Sequence, residues 1–552
     1  MTDEKDEKKS AEEAEEKKSE EKSEEKAKAS EKTEEKKAEK ASEKKEEKKA
    51  ASTPKKKKEK DPADAFRLSP DSPVANVWKT WAGVGLVGIV GSAVGYSQDH
   101  TRFAYAWLFG FICTLTLVIG SILFVMMHHL ASGSWGIVVR RVAEVFGASS
   151  WVLLILIIPV VAMRGTLYDW LKGDQHAGKE HAALDMTPES DSMLASLDDS
   201  RSVGSQMGQP GGGGMPHGLP RGGPGMGRGG GPGGNPHAPG GMPRGSDARG
   251  GGGSPVHIQV GHPVEERALN AEREEVMKDK TWYLSQTFFY VRLALYFLIW
   301  FGIGTYLLKL SSDQDKSKDP TITNRLARFS APGVVLMTLS LTFAAFDWMM
   351  SLEPTWYSTI YGVIFFAGSM VCCFATLILV FLGFRNSGVL EKEVTVEHYH
   401  DLGKLLFGFM CFWAYVSFSQ FMLQWYAAIP EELTFYHHRW DVGVWRNVSL
   451  GIVLLHFIFP FVFIMSRNVK RNLGLLRLGA LLLLTMHIID IYWQVMPNVP
   501  HQTSFAPSWI DFFGFLGPVG VFLAVAFRRL NEYPLLPVGD PRLQRSIKFV
   551  NA

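Results

Sequence analysis

The chain has 552 residues, 46% of them hydrophobic, and a formal net charge of only +2. Its four cysteines form no C-x-x-C-H motif and no clustered spacing, which argues against covalently attached haem, cysteine-ligated iron–sulfur clusters and zinc. No nucleic-acid partner is expected. These averages combine two very different compositions, which separate along the chain.

The N-terminal segment is almost entirely Lys, Glu, Ala and Ser, and residues 2–60 contain no aromatic or branched aliphatic residue. Such a segment buries too little apolar surface to offset the entropy of ordering. We therefore predict a disordered tail over residues 1–74. The N-terminus is charged rather than apolar, so no cleavable signal peptide is expected.

Ten apolar runs are long enough to cross a bilayer as helices, since about 20 residues are needed. They predict an all-α membrane protein with three spans in 75–165 and seven in 276–530, followed by a C-terminal tail over 531–552. The runs are 79–96, 105–129, 136–162, 284–309, 329–350, 358–384, 402–427, 444–466, 473–493 and 508–529.

The loop at 166–275 contains a Gly-, Pro- and Met-rich stretch over 200–254, which is typical of a flexible linker. His217 and His237 within it offer a metal site as the less favoured alternative. Basic residues concentrate in the even-numbered loops, which places both termini in the cytoplasm and this loop outside.

Polar residues recur at helical spacing near the outer ends of several spans. Each set occupies one helix face, and polar groups within a span favour the bundle interior. The candidate functional residues are Asp347 and Asp490, accompanied by Arg292, Gln420, Gln424, His456 and His487. We expect Arg292 to pair with one of the two aspartates, and the set to converge on one site at one depth.

Structural roles are the alternative for each residue, because Gln and Ser join helices and carboxylates near an interface can be hydrated. Helical rise places His456 and His487 roughly 8 Å apart in depth, which argues against a b-type haem between them. No metal site is predicted within the spans. The inner candidates, which interfacial anchoring explains equally well, are His128, His129, Arg140, Arg141 and Glu144.

Several long motifs identify a family resemblance. The segments KDKTWYLSQTFFYVRLALYFLIW, FDWMMSLEPTWYSTIYG, FWAYVSFSQFMLQWYAAIPEE, LLHFIFPFVFIMSRNVKR and IDIYWQVMP resemble the second large membrane subunit of alternative complex III. That complex is a bacterial quinol:cytochrome c, or quinol:oxidase, oxidoreductase, so the resemblance implies a location in the inner membrane of a bacterium. The subunit belongs to the polysulfide-reductase-like (NrfD-like) superfamily, and the resemblance covers roughly 75–165 and 262–530.

The resemblance implies two four-helix bundles, spans 2–5 and 6–9, with a peripheral helix at each end. It also implies a non-autonomous subunit without covalently bound cofactors, working with quinone or menaquinone, a sister membrane subunit, and haem c and iron–sulfur subunits. Arg292, Asp347, Gln420 and Asp490 match the family's motifs. Ala428-Ile429 stand where the family pattern has Asn-Leu, so a ligand contact by that Asn would be missing here.

Three functions stay open from the sequence. The chain could bind quinol and pass protons to the outer side, with Asp347 or Asp490 as proton acceptor. The quinone site or proton path would then include Arg292, Gln420, Gln424, His456 and His487. It could instead be a membrane scaffold, with residues 431–440 docking extrinsic redox subunits. A secondary transporter is the least favoured, because transporter sites usually lie at mid-membrane on broken helices.

Overall fold

The computed structural model describes residues 62–171, 276–440, 443–500 and 506–550. Most of the predicted tail and linker, with His217 and His237, lies outside these residues. By contacts the chain divides into residues 1–67 and 68–552. In the first unit, the described residues form a short 3-10 helix, Pro62–Phe66.

Every regular element in the described residues is a helix, and ten helices are long and apolar enough to cross a membrane. The chain is thus an all-α, multi-span membrane protein, as predicted. The spans are α1 (Val77–Gln98), α2 (His100–Ala131), α3 (Ile137–Ala162), α4 (Gln286–Ser317), α5 (Thr321–Trp348), α6 (Tyr361–Asn386), α7 (Val396–Ala427), α8 (Val444–Met465), α9 (Leu473–Val495) and α10 (Trp509–Leu530). We call the side on which α5 and α7 end the outer side, following the predicted orientation.

Two of the spans are not continuous α-helices. α3 consists of Ile137–Ala148, Val152–Leu156 and Ile158–Ala162. α8 begins within the α-helical segment Gly443–Ile452, continues through a π-helical turn at Val453–Ile458, and ends with Phe459–Met465. Between α7 and α8 the chain forms a surface helix, Pro430–Trp440.

The helices pack as two rings of four. In the first bundle α2, α3, α4 and α5 contact one another in sequence and α5 returns to α2; in the second, α6, α7, α8 and α9 do the same. α1 and α10 pair with each other, and α10 packs on α2. The implied arrangement of two bundles with two peripheral spans is therefore present, although the peripheral spans lie side by side.

α2 is the central helix of the molecule, and its whole apolar window is buried. It contacts α5 within its own bundle, α6 of the second bundle, and α10. A Cβ on Gly120 would lie 2.2 Å from the carbonyl oxygen of Ser369, so only glycine allows α2 and α6 to approach this closely.

The inner ends of α3 and α4 are joined by buried charges. Arg140 Nε lies 2.7 Å from Glu144 Oε1 and Arg140 Nη1 lies 3.0 Å from Asp540 Oδ2, while Arg141 pairs with Glu144 and Asp315. The two arginines have no exposed surface. Complete burial favours a structural role in the fold over anchoring at the membrane surface.

The C-terminal segment, residues 531–550, completes this charge network. Asp540 pairs with Arg140, and the Gly539 amide donates to Asp315 Oδ1 at 3.0 Å. Ser546 bonds through its carbonyl to His398 of α7 and through its hydroxyl to the Trp135 carbonyl. The segment is thus attached to the inner ends of both bundles.

Candidate functional site

An arginine–aspartate pair lies near the outer end of the first bundle. Arg292 of α4 donates from Nε and Nη2 to the two carboxylate oxygens of Asp347 on α5, each at 2.8 Å. The hydroxyl of Tyr296 donates to Asp347 Oδ2 at 2.7 Å. Asp347 is fully buried and Arg292 is 7% exposed. The predicted pairing of Arg292 with an aspartate is confirmed, and both oxygens of Asp347 are engaged.

The remaining contacts of Arg292 hold its guanidinium in place. Nη1 donates to the Tyr283 carbonyl at 2.8 Å, and the guanidinium carbon lies 3.8 Å from the centre of the Tyr283 ring and 4.4 Å from that of Phe288. Bidentate pairing and stacking suit the planar guanidinium and would not suit lysine. The pair is a satisfied, rigid contact between α4 and α5.

A different set of residues surrounds a cavity of about 620 Å³ in the outer half of the second bundle. Its body is apolar and aromatic, with Trp413, Phe421, Phe435 and Phe457 among the lining residues. The polar side chains in its wall are Tyr361, Tyr415, Ser417, Gln420, Tyr436, Ser449, Asp490 and Gln494. An apolar cavity with a few convergent polar groups is the usual form of a small-molecule site.

Hydrogen bonds fix most of these polar groups. Gln420 accepts from Ser358 Oγ at 2.7 Å and donates to the Tyr436 hydroxyl at 3.1 Å. Tyr361 donates to Gln494 Oε1 at 2.7 Å. Burial raises the pKa of the Tyr436 phenol, which therefore stays protonated at neutral pH. The two glutamines thus have defined orientations in the cavity wall.

Asp490 differs from Asp347 in having no cation beside it. It is 4% exposed, lines the cavity, and lies beside Gln494 and the indole of Trp413. Within the described part of the chain no arginine, lysine or histidine forms an ion pair with it. Its carboxyl group is therefore available to exchange a proton with a molecule in the cavity.

Arg439 attaches the surface helix to the outer end of the cavity. Its Nη1 pairs with Glu353 at 2.7 Å, its Nη2 donates to the Gln494 carbonyl at 2.9 Å, and its guanidinium carbon lies 3.6 Å from the centre of the Phe435 ring. The side chain is fully buried. Sequence reasoning placed Arg439 only in an outer loop, although FYHHRW on a helical period would have indicated an amphipathic helix.

The π-helical turn in α8 positions His456. This residue is fully buried, and its ring centroid lies 3.9 Å from that of Trp413. Pro460 follows four residues later and cannot donate to the His456 carbonyl, which accounts for the widened turn. Neither ring nitrogen of His456 has a hydrogen-bond partner among the described residues. A proline within the span is the sequence signal that could have located this turn.

The predicted residues therefore do not form a single site. Gln420 and Asp490 line the cavity, while Arg292 and Asp347 pair in the other bundle. The other three candidates are buried close to the cavity without lining it: Gln424 donates to the Tyr357 carbonyl at 3.2 Å, His487 bonds Thr116 of α2 at 3.1 Å, and His456 stacks on Trp413. The expectation of one convergent set is wrong in this respect, because α4 and α5 belong to a different ring from α7 and α9.

Neither a metal ligand set nor a known relative identifies the cavity. Among the residues that the structure describes, no group of three or more His, Cys, Asp or Glu side chains could hold a metal ion. The sequence matches no protein-family model, and no curated protein sequence matches it.

Proposed function

We propose that the chain is an integral membrane subunit of a bacterial respiratory quinol:cytochrome c, or quinol:oxidase, oxidoreductase, and that the cavity of the second bundle binds quinol. The observation that carries this proposal is Asp490, a buried carboxylate without a cation, in the wall of a mostly apolar cavity. The motifs that resemble alternative complex III support the choice of ligand.

The lining side chains suit a quinol ring. Apolar and aromatic groups would pack against its faces, and Gln420 and Gln494 would hydrogen-bond its hydroxyl or carbonyl oxygens. Oxidation of a quinol to a quinone releases two electrons and two protons. We propose that Asp490 accepts one ring proton, that the second ring proton leaves to water on the outer side, and that both electrons pass to a haem or iron–sulfur centre of a partner subunit.

The assembly follows from the same resemblance. We propose that the chain lies in the cytoplasmic membrane with both termini inside, beside a sister membrane subunit and with haem c and iron–sulfur subunits on the outer side. Released protons would then emerge on the side that adds to the proton gradient. We propose that an extrinsic subunit docks on the surface helix Pro430–Trp440, which Arg439 holds through its pair with Glu353.

Replacement of Asp490 by Asn tests the proton-acceptor role. The change keeps the size of the side chain and removes its ability to take a proton. General acid–base groups contribute roughly 10²- to 10⁴-fold, so quinol oxidation by the purified complex should fall by about 100-fold or more. Unchanged quinol oxidation and proton release in a fully assembled Asp490→Asn complex would contradict the proposal.

A scaffold is the second candidate function, and the Arg292–Asp347 pair favours it. With both of its oxygens bonded to Arg292 and Tyr296, Asp347 joins α5 to α4. If the chain acts only as a scaffold, the Asp490→Asn complex oxidises quinol normally. Crosslinks from the surface helix would then still connect it to a haem or iron–sulfur subunit.

A further inference from the structure

A second cavity, of about 610 Å³, lies where the second bundle meets α1, α2 and α10. It shares no lining residue with the first cavity. Its walls come from the start of α1, the middle of α2, the inner half of α6, the middle of α9 and most of α10. We call it the joint groove. It is lined chiefly by Trp81, Leu117, Leu379, Val380, Val519 and Phe527, with Cys113, Cys372 and His487 at its deep end.

The length of the joint groove matches the thickness of one leaflet. Along α6 it extends from Cys372 to Ser387, which is about 22 Å at 1.5 Å per residue. One leaflet, measured with its headgroup region, is roughly 20–22 Å thick. A groove that begins at mid-membrane and opens at the inner surface matches a hydrocarbon chain that enters from the inner leaflet.

The deep end of the groove suits an apolar ligand. Thr114 donates its hydroxyl to the Gly110 carbonyl at 2.9 Å, and His487 Nε2 is bonded to Thr116. Of these polar atoms His487 Nδ1 alone has no hydrogen-bond partner among the described residues, and it lies toward Gly368 of α6, which does not line the groove. The end of an alkyl chain therefore fits the deep end better than a hydrogen-bonding ring. This distinguishes the joint groove from the first cavity with its Asp490 carboxylate.

The inner rim beside the groove carries positive charge. Two cations converge on the indole of Trp78, Lys79 Nζ at 6.0 Å and the Arg528 guanidinium at 5.3 Å from its centroid. Trp78 follows Val77 and Arg528 follows Phe527, and both of those preceding residues line the groove. Two exposed cations and an indole at the membrane surface suit an anionic headgroup.

We propose that the joint groove binds one acyl chain of an anionic glycerophospholipid from the inner leaflet, with its headgroup at Lys79 and Arg528. The bound chain fills the space between the second bundle and the α1–α10 pair. This site is independent of the proposed quinol site, and neither requires the other.

Native mass spectrometry of the complete protein, in the assembly with which it is purified, tests the proposal. The protein is supplied with dioleoylphosphatidylglycerol or dioleoylphosphatidylcholine. Val519→Trp fills the groove. Leu336→Trp is the control, because it enlarges by a comparable amount a side chain that lies outside the groove and is 47% exposed. We expect wild type and Leu336→Trp to retain one phosphatidylglycerol per chain, and Val519→Trp to lose at least tenfold in occupancy.

A double variant tests the headgroup. Lys79→Gln with Arg528→Gln should bind the two lipids equally, whereas wild type should prefer phosphatidylglycerol about tenfold. Equal retention by Val519→Trp and Leu336→Trp would overturn the site. Equal binding of both lipids by wild type would overturn the anionic headgroup.

Should Val519→Trp fail to fold, wild-type protein still decides the question. Phosphatidylglycerol with a diazirine at its chain end should label residues 113–117 and 484–488, at the deep end of the groove. Labelling spread evenly over the lipid-facing helices would show that this lipid has no defined site.

Discussion

Asp347 and Asp490 are both buried aspartates near the outer ends of helices, but their surroundings differ. Those of Asp347 suit a structural ion pair, and those of Asp490 suit a proton acceptor. Asp347 is held by Arg292 and Tyr296, whereas Asp490 faces a cavity without a cation. Breaking a buried ion pair by removing one partner typically costs about 3–5 kcal/mol, because the other charge stays buried and unpaired.

Thermal unfolding of two Asn variants separates these tasks. Asp347→Asn should lower the apparent Tm markedly, since it leaves the Arg292 guanidinium without its counter-charge. Asp490→Asn should leave the Tm unchanged or raise it, because it removes an unpaired buried charge. The Tm of each variant in detergent is compared with wild type. A larger loss of stability in Asp490→Asn would contradict both assignments.

At the scale of helices, glycines allow α1 and α10 to pack backbone against backbone. A Cβ on Gly88 would lie 2.3 Å from the amide nitrogen of Gly517, and one on Gly85 would lie 2.8 Å from that of Val521. Close approach through small residues is a common source of helix association in a bilayer.

Gly88→Ala should therefore separate α1 from α10. Gly83 of the same helix is the matched control, because a Cβ there meets nothing within 4 Å. We expect faster amide hydrogen exchange over residues 77–98 in Gly88→Ala and a wild-type pattern in Gly83→Ala. Equal exchange in the two variants would show that the close contact at Gly88 does not hold α1 against α10.

Docking of the C-terminal segment should depend on pH through Asp540. Burial by itself raises the pKa of this carboxyl, but hydrogen bonds from Arg542 and the charge of Arg140 outweigh it and bring the pKa well below its ordinary value. Docking is therefore fully stabilised above the unfolded pKa, about 3.9, and weakens as the pH falls below it.

Hydrogen exchange over residues 531–550, corrected for intrinsic rates, measures this dependence. Wild type should lose protection progressively below about pH 4. Asp540→Asn should be less protected at neutral pH, because Arg140 keeps only Glu144 as its partner, and should lose less protection in acid than wild type does. Protection in wild type that is constant from neutral pH to pH 2 would contradict this role for Asp540.

At the scale of the whole molecule, the local sequence determines the spans but not how they are grouped. Hydropathy predicted all ten helices. The helical period correctly predicted that Asp347, Gln420 and Asp490 are buried in the interior. The helical period does not show which bundle interior each polar helix face lies toward. That depends on which helices pack into the same bundle, and this packing joins helices that are distant in sequence. The same limit hid the pairing of Asp540 with Arg140, which are 400 residues apart.

The central claim is that quinol binds in the cavity of the second bundle, and photolabelling tests it most directly. The purified protein, with the subunits that accompany it, is irradiated with an azido-ring quinone, and the labelled peptides are mapped. We predict labelling within residues 411–421 and 449–458, which excess quinone suppresses and Gln420→Leu weakens. Labelling confined to the first bundle or to another subunit would contradict the account.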